Sequence, residues 1–380
     1  MVKKRQKTLT MNKIKTYITL LLAIFVGVSV FTSCSDEEDV LNHQNKRNKM
    51  AYSDISTYSY VNYDGEKVSM LYFKTAEDFI ETLGLLASNY DSFNDSINNV
   101  FCQEHGKDSS AVDEMPEDFN IHSVFSNFEK NFNYIPLRPI YEKAENAYVQ
   151  SQDETDENDP FYTYPYTIEE MSLLNKYGEV RIGDEIVKYV KDDYVVFPLE
   201  HIIDLVSFNS GDTFSILSND YIKSSLPSNK CGNTNSECLT RKSETYFLYP
   251  KGDKTYKTRC HISFSNTYLY VRTHARTTAY RYSTTKKKYV HSRVMQRLRI
   301  NDVYLRDADC TTIATILSGK QRTKGAYEIS LTVSSLELVK HYRISRSHDY
   351  QSIIVTYKHY PTKIKYDIMF WGHTPIPVPF

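Results

Sequence analysis

The sequence predicts an α+β protein, with an N-terminal region of mixed helices and strands followed by a C-terminal antiparallel all-β sandwich or barrel-like domain. Three observations lead to this prediction. Apolar residues recur at helical spacing in several segments before residue 240, and short runs of alternating apolar and polar residues follow after it. The charge balance also reverses there, from 15 Lys and Arg against 38 Asp and Glu over residues 34–240 to 25 against 9 over residues 241–380.

The acidic region predicts helices separated by short strands. Thr75, with Asp78 three residues later, forms a capping-box pattern at the start of the first predicted helix. Phenylalanines at helical spacing near residue 128 predict a second helix, and residues 136–150 predict a third with Pro139 in its first turn. Further predicted elements are the strand 67–73, short strands over 178–198 that turn at Gly183 and Asp184, and a short helix over 199–208.

The basic region predicts a series of strands. Alternating runs occupy residues 245–250, 258–283, 293–305, 326–339, 351–359 and 363–372. A series of short strands without helical spacing is typical of an antiparallel sandwich or barrel. Arginines and lysines at outward positions would also protect exposed strand edges from pairing with other chains.

The N-terminus has the organisation of an export signal. Residues 1–33 contain six Lys and Arg and no Asp or Glu, and residues 18–31 are almost wholly apolar. Thr32, Ser33 and Cys34 follow. This order of basic, apolar and small residues before a cysteine resembles a bacterial lipoprotein signal peptide. The resemblance implies cleavage before Cys34 and lipid attachment to its sulfur.

Four consecutive acidic residues follow this cysteine at positions 36–39. The run resembles the export signal of surface-exposed Bacteroidota lipoproteins, of the Bacteroides type and of an uncharacterised family. A solvated, disordered tether would have the same composition, so both interpretations stay open. The resemblance implies an outer-membrane protein that is anchored by lipid and faces the cell exterior.

These features divide the chain into four predicted segments. They are a signal peptide over 1–33, an acidic flexible tether over 34–60, an acidic mixed α/β domain over 61–240 and a basic all-β domain over 241–380. The charge step predicts either two units that dock through complementary fields or two units that face different partners. The basic half lacks a nucleic-acid recognition motif. We therefore expect no nucleic acid, and instead an anionic glycan, a lipopolysaccharide phosphate, a protein or the acidic half itself.

Five cysteines remain after Cys34. Cys231 and Cys238 flank a polar loop and predict a local disulfide in an oxidising periplasm, whereas Cys102 is expected to stay reduced. The sequence contains no CxxC pair and no close cluster of histidines that would predict a zinc site. The acidic segment 151–160 lacks the glycine and the terminal glutamate of a calcium-binding EF-hand loop. We therefore expect no metal and no cofactor.

The sequence contains no recognised catalytic motif, and no catalytic residue is predicted. Nucleophile elbows, phosphate-binding loops and metalloprotease signatures do not occur. The carboxylate pairs Glu169 with Glu170 and Asp192 with Asp193 stand in segments typical of solvent-exposed surface. A non-catalytic protein is therefore favoured over an enzyme.

Tyrosine is in excess, with 32 residues. Its ring stacks on sugar faces and its hydroxyl forms hydrogen bonds, which predicts a cell-surface binding or adhesion module for a glycan or protein ligand. Tyrosine is also a good strand former whose ring packs in a core. The candidate ligand-binding residues are Arg272, Arg276, Arg281, Tyr268, Tyr270, Tyr280, Tyr282 and Trp371.

The basic strand near residue 272 and the turn after it are the candidate anion-binding surface. Arg272, His274 and Arg276 share one face of a regular strand, and Lys286 to Lys288 follow. The alternative is a solvated strand face with a lysine-rich turn.

Two alternative functions stay open. An accessory hydrolase acting on a host or dietary polymer would require a buried pair of pKa-shifted carboxylates, or a metal, in a deep pocket. A structural subunit of a surface assembly would require a large exposed apolar patch.

Overall fold

The structure is a computed structural model, and it describes residues 52, 54–151, 158–191, 193–224, 241–248, 256–266, 269, 271–307, 312–335, 348–350, 352–359 and 364–371. Residues Ile55–Phe380 belong to one compact unit. The expected signal peptide, Cys34 and the Cys231–Cys238 pair lie outside the described residues. In the part of the chain that the structure describes, no helix is both long enough and apolar enough to cross a membrane.

The α+β prediction is confirmed, because helices and strands alternate in the first part of the chain and antiparallel strands dominate the second. The helices are α1 (Ala76–His105), α2 (Ser123–Glu129), α3 (Arg138–Gln150), α4 (Pro160–Thr163), α5 (Ile168–Leu173), α6 (Ile202–Asn209) and α7 (Thr213–Leu217), with a 3-10 turn at Leu199–His201.

The strands of the first part are β1 (Ser56–Val61), β2 (Lys67–Phe73), β3 (Val112–Glu114), β4 (Glu179–Ile182), β5 (Glu185–Val190), β6 (Asp193–Pro198) and β7 (Lys223–Ser224). Those of the second part are β8 (Arg241–Leu248), β9 (Tyr256–Asn266), β10 (Val271–Ser283), β11 (Lys288–Asp307), β12 (Thr312–Ala326), β13 (Glu328–Ser335), β14 (His348–Tyr350), β15 (Ser352–His359) and β16 (Ile364–Trp371). Strand β1 begins before residue 60, the expected end of the tether. The expected domain boundary at residue 240 stays a prediction.

Helix α1 begins where the capping-box pattern predicts. The Thr75 hydroxyl accepts a hydrogen bond from the Asp78 N–H at 3.1 Å, and the Asp78 carboxylate accepts one from the Thr75 N–H at 3.0 Å. Phe79, Leu86 and Phe101 are buried on the inner side of the helix. This buried side anchors a long helix that carries many acidic residues.

The first sheet has six strands in the order β1-β2-β4-β5-β6-β7. Its pairs are antiparallel except for the parallel pair of β2 with β4. Gly183 forms the predicted turn between β4 and β5 with a φ of 58°, a backbone conformation that glycine adopts without strain. Met70, Ile186, Phe197 and Leu205 pack in the core beside this sheet.

The second sheet has ten strands, and its main path is β16-β15-β11-β10-β9-β8. The pairs along it are antiparallel. The long strand β11 also pairs with β3, β12 and β14, and β10 also pairs with β13. Strand β3 belongs to the acidic half of the sequence, so a segment of that half takes part in the sheet of the basic half.

Candidate functional site

One face of strands β9 and β10 is both polar and buried. The antiparallel register places Arg276 opposite His261 and Thr278 opposite Arg259. Because alternate residues of a strand point to the same side, these four side chains share one face of the sheet. All four are almost completely inaccessible to solvent. Polar groups in such a position need partners on the element that covers them.

Helix α3 provides these partners. Tyr141 and Glu145 are four residues apart and therefore lie on the same side of the helix. The Arg276 guanidinium donates a hydrogen bond to the Tyr141 hydroxyl. A terminal nitrogen of Arg259 lies 3.2 Å from a carboxylate oxygen of Glu145. The helix thus covers the polar face of the sheet through charged and hydroxyl groups.

The C-terminal end of α3 is attached to the same sheet. The buried Lys257 ammonium donates to the Val149 carbonyl at 2.7 Å, which places a cation at the end of the helix where the helix dipole favours it. The Gln150 side chain donates to the Tyr289 carbonyl and accepts from the Tyr289 N–H, both at 2.8 Å. These contacts fix the helix end against the beginning of β11.

Arg259 is the centre of a fully enclosed charge cluster. One of its terminal nitrogens lies 2.7 Å from both carboxylate oxygens of Asp159. Asp159 also caps α4 by accepting from the Phe161 N–H at 2.9 Å, and the Phe161 ring stacks on His261 with centroids 4.4 Å apart. Burial, together with the neighbouring guanidinium groups, holds the pKa of His261 well below its usual range. The His261 ring is therefore neutral.

This cluster has the composition of a metal site, but a side chain already supplies its positive charge. Ligand atoms of Glu145, Asp159 and His261 lie within 4.8 Å of one another. The Arg259 guanidinium contacts all three residues, at 3.2, 2.7 and 2.9 Å. A guanidinium between two carboxylates supplies positive charge at the place where a metal ion would supply it. These residues therefore need no metal to be stable.

A second group with the composition of a metal site lies at the end of α1. It consists of Glu104, His105 and Asp113, all at least partly exposed. Arg293 lies 2.7 Å from Glu104 and 2.8 Å from Asp113, so this group also holds a guanidinium. The expectation that the protein binds no metal stays a prediction.

A cavity of about 690 Å³ opens beside α3. Its walls come from three parts of the chain: the segment that leads into α2, helix α3, and the strands β10, β11 and β13. The lining residues are Met115, Pro116, Glu117, Phe119, Asn120, Ile121, His122, Tyr141, Glu142, Glu145, Asn146, Gln150, Arg276, Thr278, Tyr280, Lys286, Lys288, Tyr289, Val290, His291 and Glu328.

Glu328 is a buried carboxylate of the cavity wall that contacts several protein groups. It accepts hydrogen bonds from the Tyr90 hydroxyl at 3.2 Å and the Thr278 hydroxyl at 3.1 Å. Arg276 lies 3.8 Å and His122 lies 3.7 Å from it. Burial opposes its ionisation, but the Arg276 and His122 charges outweigh burial and hold the pKa of Glu328 at about 2. Both Glu328 oxygens are therefore engaged with protein groups.

His122 carries the second buried charge of this wall. Its ring lies 2.5 Å from the Glu142 carboxylate. Burial alone would lower the pKa of His122, but Glu142 and then Glu328 raise it to about 9. Burial likewise opposes ionisation of Glu142, and the charges of His122 and Arg138 nevertheless lower its pKa to about 2. Both partners are therefore charged at neutral pH.

Glu145 differs from these carboxylates because one of its oxygens is unused. Its Oε2 accepts from the Tyr141 hydroxyl at 3.1 Å and lies 3.2 Å from Arg259. Its Oε1 is buried and has no hydrogen-bond partner among the described residues. Burial also raises the pKa of Glu145. Glu145 lines the cavity, so a residue of the cavity wall carries a buried oxygen without a hydrogen-bond donor.

His291 adds a neutral ring to the same cavity. Burial, followed by the charge of His122, lowers the pKa of His291 to about 4. Its ring contacts that of Tyr280, with centroids 4.6 Å apart. The wall therefore combines aromatic surface, one unused acceptor and a neutral imidazole.

Two of the eight candidate ligand-binding residues, Arg276 and Tyr280, line the cavity, and both are buried. Lys286 and Lys288 of the candidate anion-binding surface line it as well. His274, on the same strand, is buried as well and lies 2.9 Å from the Thr332 hydroxyl. The alternative expectation of a solvated strand face is therefore wrong at His274 and Arg276. The cause is the cover provided by α3 and by strand β13, which sequence alternation does not indicate.

The remaining predicted residues do not line the cavity. Arg281 lies 3.7 Å from Glu114. Tyr282 is partly exposed and contacts Tyr289 edge-on, with centroids 5.4 Å apart. Arg272 and Trp371 lie in strands β10 and β16, whereas Tyr268 and Tyr270 lie outside the described residues.

The expectation that Glu169 and Glu170 face solvent is wrong, because both are buried. Glu170 completes a capping box with Thr167, accepting from its N–H at 2.8 Å, and burial raises the pKa of Glu169. Asp192, of the other pair, lies outside the described residues. Cys102 and Cys260 form no disulfide within the described part of the chain.

Sequence reasoning missed Glu145, Glu328, His122 and His291. A usable signal existed for Glu145, because it stands between tyrosines 141 and 148 on the inward stripe of a predicted helix. A carboxylate in such a stripe indicates a buried partner. The other three come from distant segments, and only the fold brings them together.

Comparison with solved structures gives a weak similarity. The structure of a DUF4848 family protein from Bacteroides thetaiotaomicron is similar at 13% sequence identity and a TM-score of 0.17, covering 82% of this chain and 100% of that chain. This similarity is too low to transfer a fold or an activity. No protein-family model matches the chain. No curated protein matches it either.

Proposed function

We propose that this protein is a lipid-anchored outer-membrane protein facing the cell exterior, and that it binds one sugar unit of a glycan in the cavity beside α3. The observation that carries the proposal is that Glu145, whose Oε1 has no hydrogen-bond partner among the described residues, lines the cavity. A buried acceptor without a donor costs about 1–3 kcal/mol. A sugar hydroxyl entering the cavity would supply that donor.

The size of the cavity supports a ligand of small-molecule dimensions. Its volume of about 690 Å³ falls within the range of about 300–1,000 Å³ that is usual for such sites. A protein partner would instead bury a broad, largely flat surface. The cavity therefore favours a single sugar unit or a short oligosaccharide end.

The aromatic residues of the wall support a sugar more than other polar ligands. Phe119, Tyr141, Tyr280 and Tyr289 all line the cavity. An aromatic ring can pack against the apolar face of a sugar while neighbouring polar groups bind its hydroxyls. The charged side chains around these rings are held by protein contacts, so they would bind hydroxyls without rearranging.

Membrane attachment is proposed from the N-terminal sequence alone. The basic and apolar residues before Cys34 resemble a lipoprotein signal, and the acidic run after it resembles a surface-export signal. A lipid anchor of two or more acyl chains gives stable attachment.

A panel of immobilised mono- and oligosaccharides tests this function with the full-length protein in mild detergent. Asn146 is exposed and lines the cavity, whereas the next residue of α3, Ala147, is exposed and does not line it. Asn146→Trp should obstruct the cavity and weaken binding of the selected sugar by about tenfold or more. Ala147→Trp adds the same ring to the same helix and should leave binding unchanged.

Equal affinity of Asn146→Trp and Ala147→Trp for the selected sugar would exclude the cavity as the sugar-binding site. A panel with no binding sugar would reject a glycan ligand and favour a protein ligand.

Hydrolysis is a second candidate, because one observation favours it. Glu145, whose pKa is raised, and Glu328, whose pKa is lowered to about 2, line the same cavity, and oppositely shifted carboxylates are typical of acid-base pairs. Binding is nevertheless favoured, since protein groups engage both Glu328 oxygens. Release of nitrophenol from nitrophenyl glycosides by the protein, abolished in Glu145→Gln, would establish the hydrolase instead.

A further inference from the structure

The ionic groups deep in the cavity are already neutralised by one another. Arg276 lies 3.8 Å from Glu328, and His122 lies 2.5 Å from Glu142. A ligand that drew one of these groups away from its partner would leave the partner's charge buried and unpaired, which is energetically unfavourable. The charges deep in the cavity are therefore compensated by protein groups, and among them the Nε2 of His122 has no hydrogen-bond partner in the described part of the chain.

The turn between β10 and β11 presents a different kind of charge at the cavity rim. Lys286 and Lys288 line the cavity, and Lys287 between them does not. Lys288 is exposed, and no carboxylate of the described residues lies within ion-pair distance of it. Lys286 lies 3.3 Å from Glu117, whose side chain is 82% exposed. Such an exposed pair contributes little stability and can exchange partners readily.

The protein holds this turn in a fixed position. Lys287 has a φ of 52°, as a tight turn requires, and the Ser283 hydroxyl accepts from the Lys286 N–H at 3.4 Å. The backbone of the adjoining Tyr289 forms two hydrogen bonds of 2.8 Å with the Gln150 side chain, accepting one and donating the other. The two rim lysines therefore project from a backbone that is attached to α3.

We propose that the sugar bound by this cavity is acidic, and that Lys286 and Lys288 bind its anionic group at the rim. This inference rests on the proposed sugar-binding function. The unused acceptor of Glu145 lies in the wall and accepts a hydroxyl, while the carboxylate, sulfate or phosphate of the ligand remains at the rim between the lysines. The acidic group thereby avoids the buried glutamates, which would repel it.

Matched sugar pairs test the inference with the full-length protein in mild detergent. Titration calorimetry compares glucose with glucuronate and galactose with galacturonate, together with the neutral and acidic pairs that the panel selects. We expect the acidic member to bind about threefold to tenfold more tightly at about 0.1 M salt, and this preference to fall at about 1 M salt, where screening is strong.

The double variant Lys286→Gln/Lys288→Gln should lose the preference while it binds the neutral sugar as before. Lys287→Gln removes a charge from the same turn but not from the cavity lining, and it should retain the preference. Equal binding of neutral and acidic sugars by the unmodified protein, or a preference that persists in the double variant, would overturn the inference while the sugar-binding function stands. Binding of no sugar in any pair would overturn both.

Discussion

One terminal nitrogen of Arg259 lies 2.7 Å from both carboxylate oxygens of Asp159, although the two residues are 100 positions apart in the sequence. The two side chains are 0% and 2% exposed. Arg259 belongs to the basic half of the chain and Asp159 to the acidic half. Their contact joins strand β9 to the residue that caps α4, so the two halves share a buried ion pair.

Other ion pairs also join a cation of the basic half to a carboxylate of the acidic half. They are Arg281 with Glu114, Lys286 with Glu117, Arg293 with Glu104 and Asp113, Arg322 with Asp91, and Lys324 with Asp95. Of the two explanations that the charge step allowed, docking through complementary fields agrees with these contacts.

Removal of Arg259 should destabilise the protein strongly. Arg259→Met leaves the buried Asp159 and Glu145 without their cation, and breaking a buried pair in this way typically costs about 3–5 kcal/mol. Lys324→Met is the control, since its partner Asp95 is 60% exposed. An exposed pair is worth at most about 1 kcal/mol. Urea unfolding, followed by fluorescence, measures the free energy of unfolding of both variants. Equal losses would show that the burial of Arg259 adds no stability to its ion pairs.

The charge of His122 should make stability depend on pH above neutrality. Its pKa is raised from 6.5 to about 9 in the folded protein. A raised pKa means that the stabilising contribution is complete below about pH 6.5 and is lost as the pH rises through about 9. His122→Gln should therefore lower the Tm by about 5–10 °C near pH 6, and this difference should shrink near pH 10.

Thermal unfolding of the unmodified protein and His122→Gln across this pH range measures the effect. His201→Gln is the control, because His201 is half-exposed and its nearest carboxylates lie 3.7 Å and 3.8 Å away. A constant difference between His122→Gln and the unmodified protein at all pH values would contradict the charge on His122.

Two glycine substitutions should change stability in opposite directions. A Cβ added to Gly325 would overlap the ring of Phe101, whereas one added to Gly84, in the exposed part of α1, would meet no atom within 4 Å. Gly325→Ala should destabilise by about 1–3 kcal/mol through overpacking. Gly84→Ala should stabilise by about 0.5–1 kcal/mol, since alanine is the better helix former. Calorimetry of both variants checks whether α1 packs on β12 as described.

Lipid attachment should depend on Cys34. Metabolic labelling with an alkynyl fatty acid should mark the unmodified protein, and Cys34→Ala should lose both the label and the membrane association. A labelled Cys34→Ala variant would reject this attachment site.

The local signals of the sequence were reliable where short-range chemistry decides the structure. The Thr75 and Asp78 cap, Pro139 in the first turn of α3 and the turn at Gly183 all occur as expected. These features depend on residues within a few positions of each other.

Strand β12 was missed for a long-range reason. Its second part is rich in charge, and the structure places Arg322 and Lys324 against Asp91 and Asp95 of α1. Gly325 interrupts the apolar pattern because the Phe101 ring occupies the space beside it. Neither partner lies near β12 in the sequence.

The candidate site was predictable only in part for the same reason. The strand that carries Arg276 and Tyr280 was expected to contribute ligand-binding residues, and both line the cavity, while their role in binding stays a prediction. Alternation along the strand indicates that these residues share a side, but it does not indicate that a helix covers that side. The acceptor at Glu145 therefore became evident only from the fold.

A crystal structure of the protein grown with the sugar that the panel selects tests sugar binding in the cavity most sharply. We expect sugar density in the cavity beside α3, with a ring hydroxyl about 3 Å from Glu145 Oε1. An empty cavity at saturating sugar, or sugar bound only elsewhere on the surface, would contradict it.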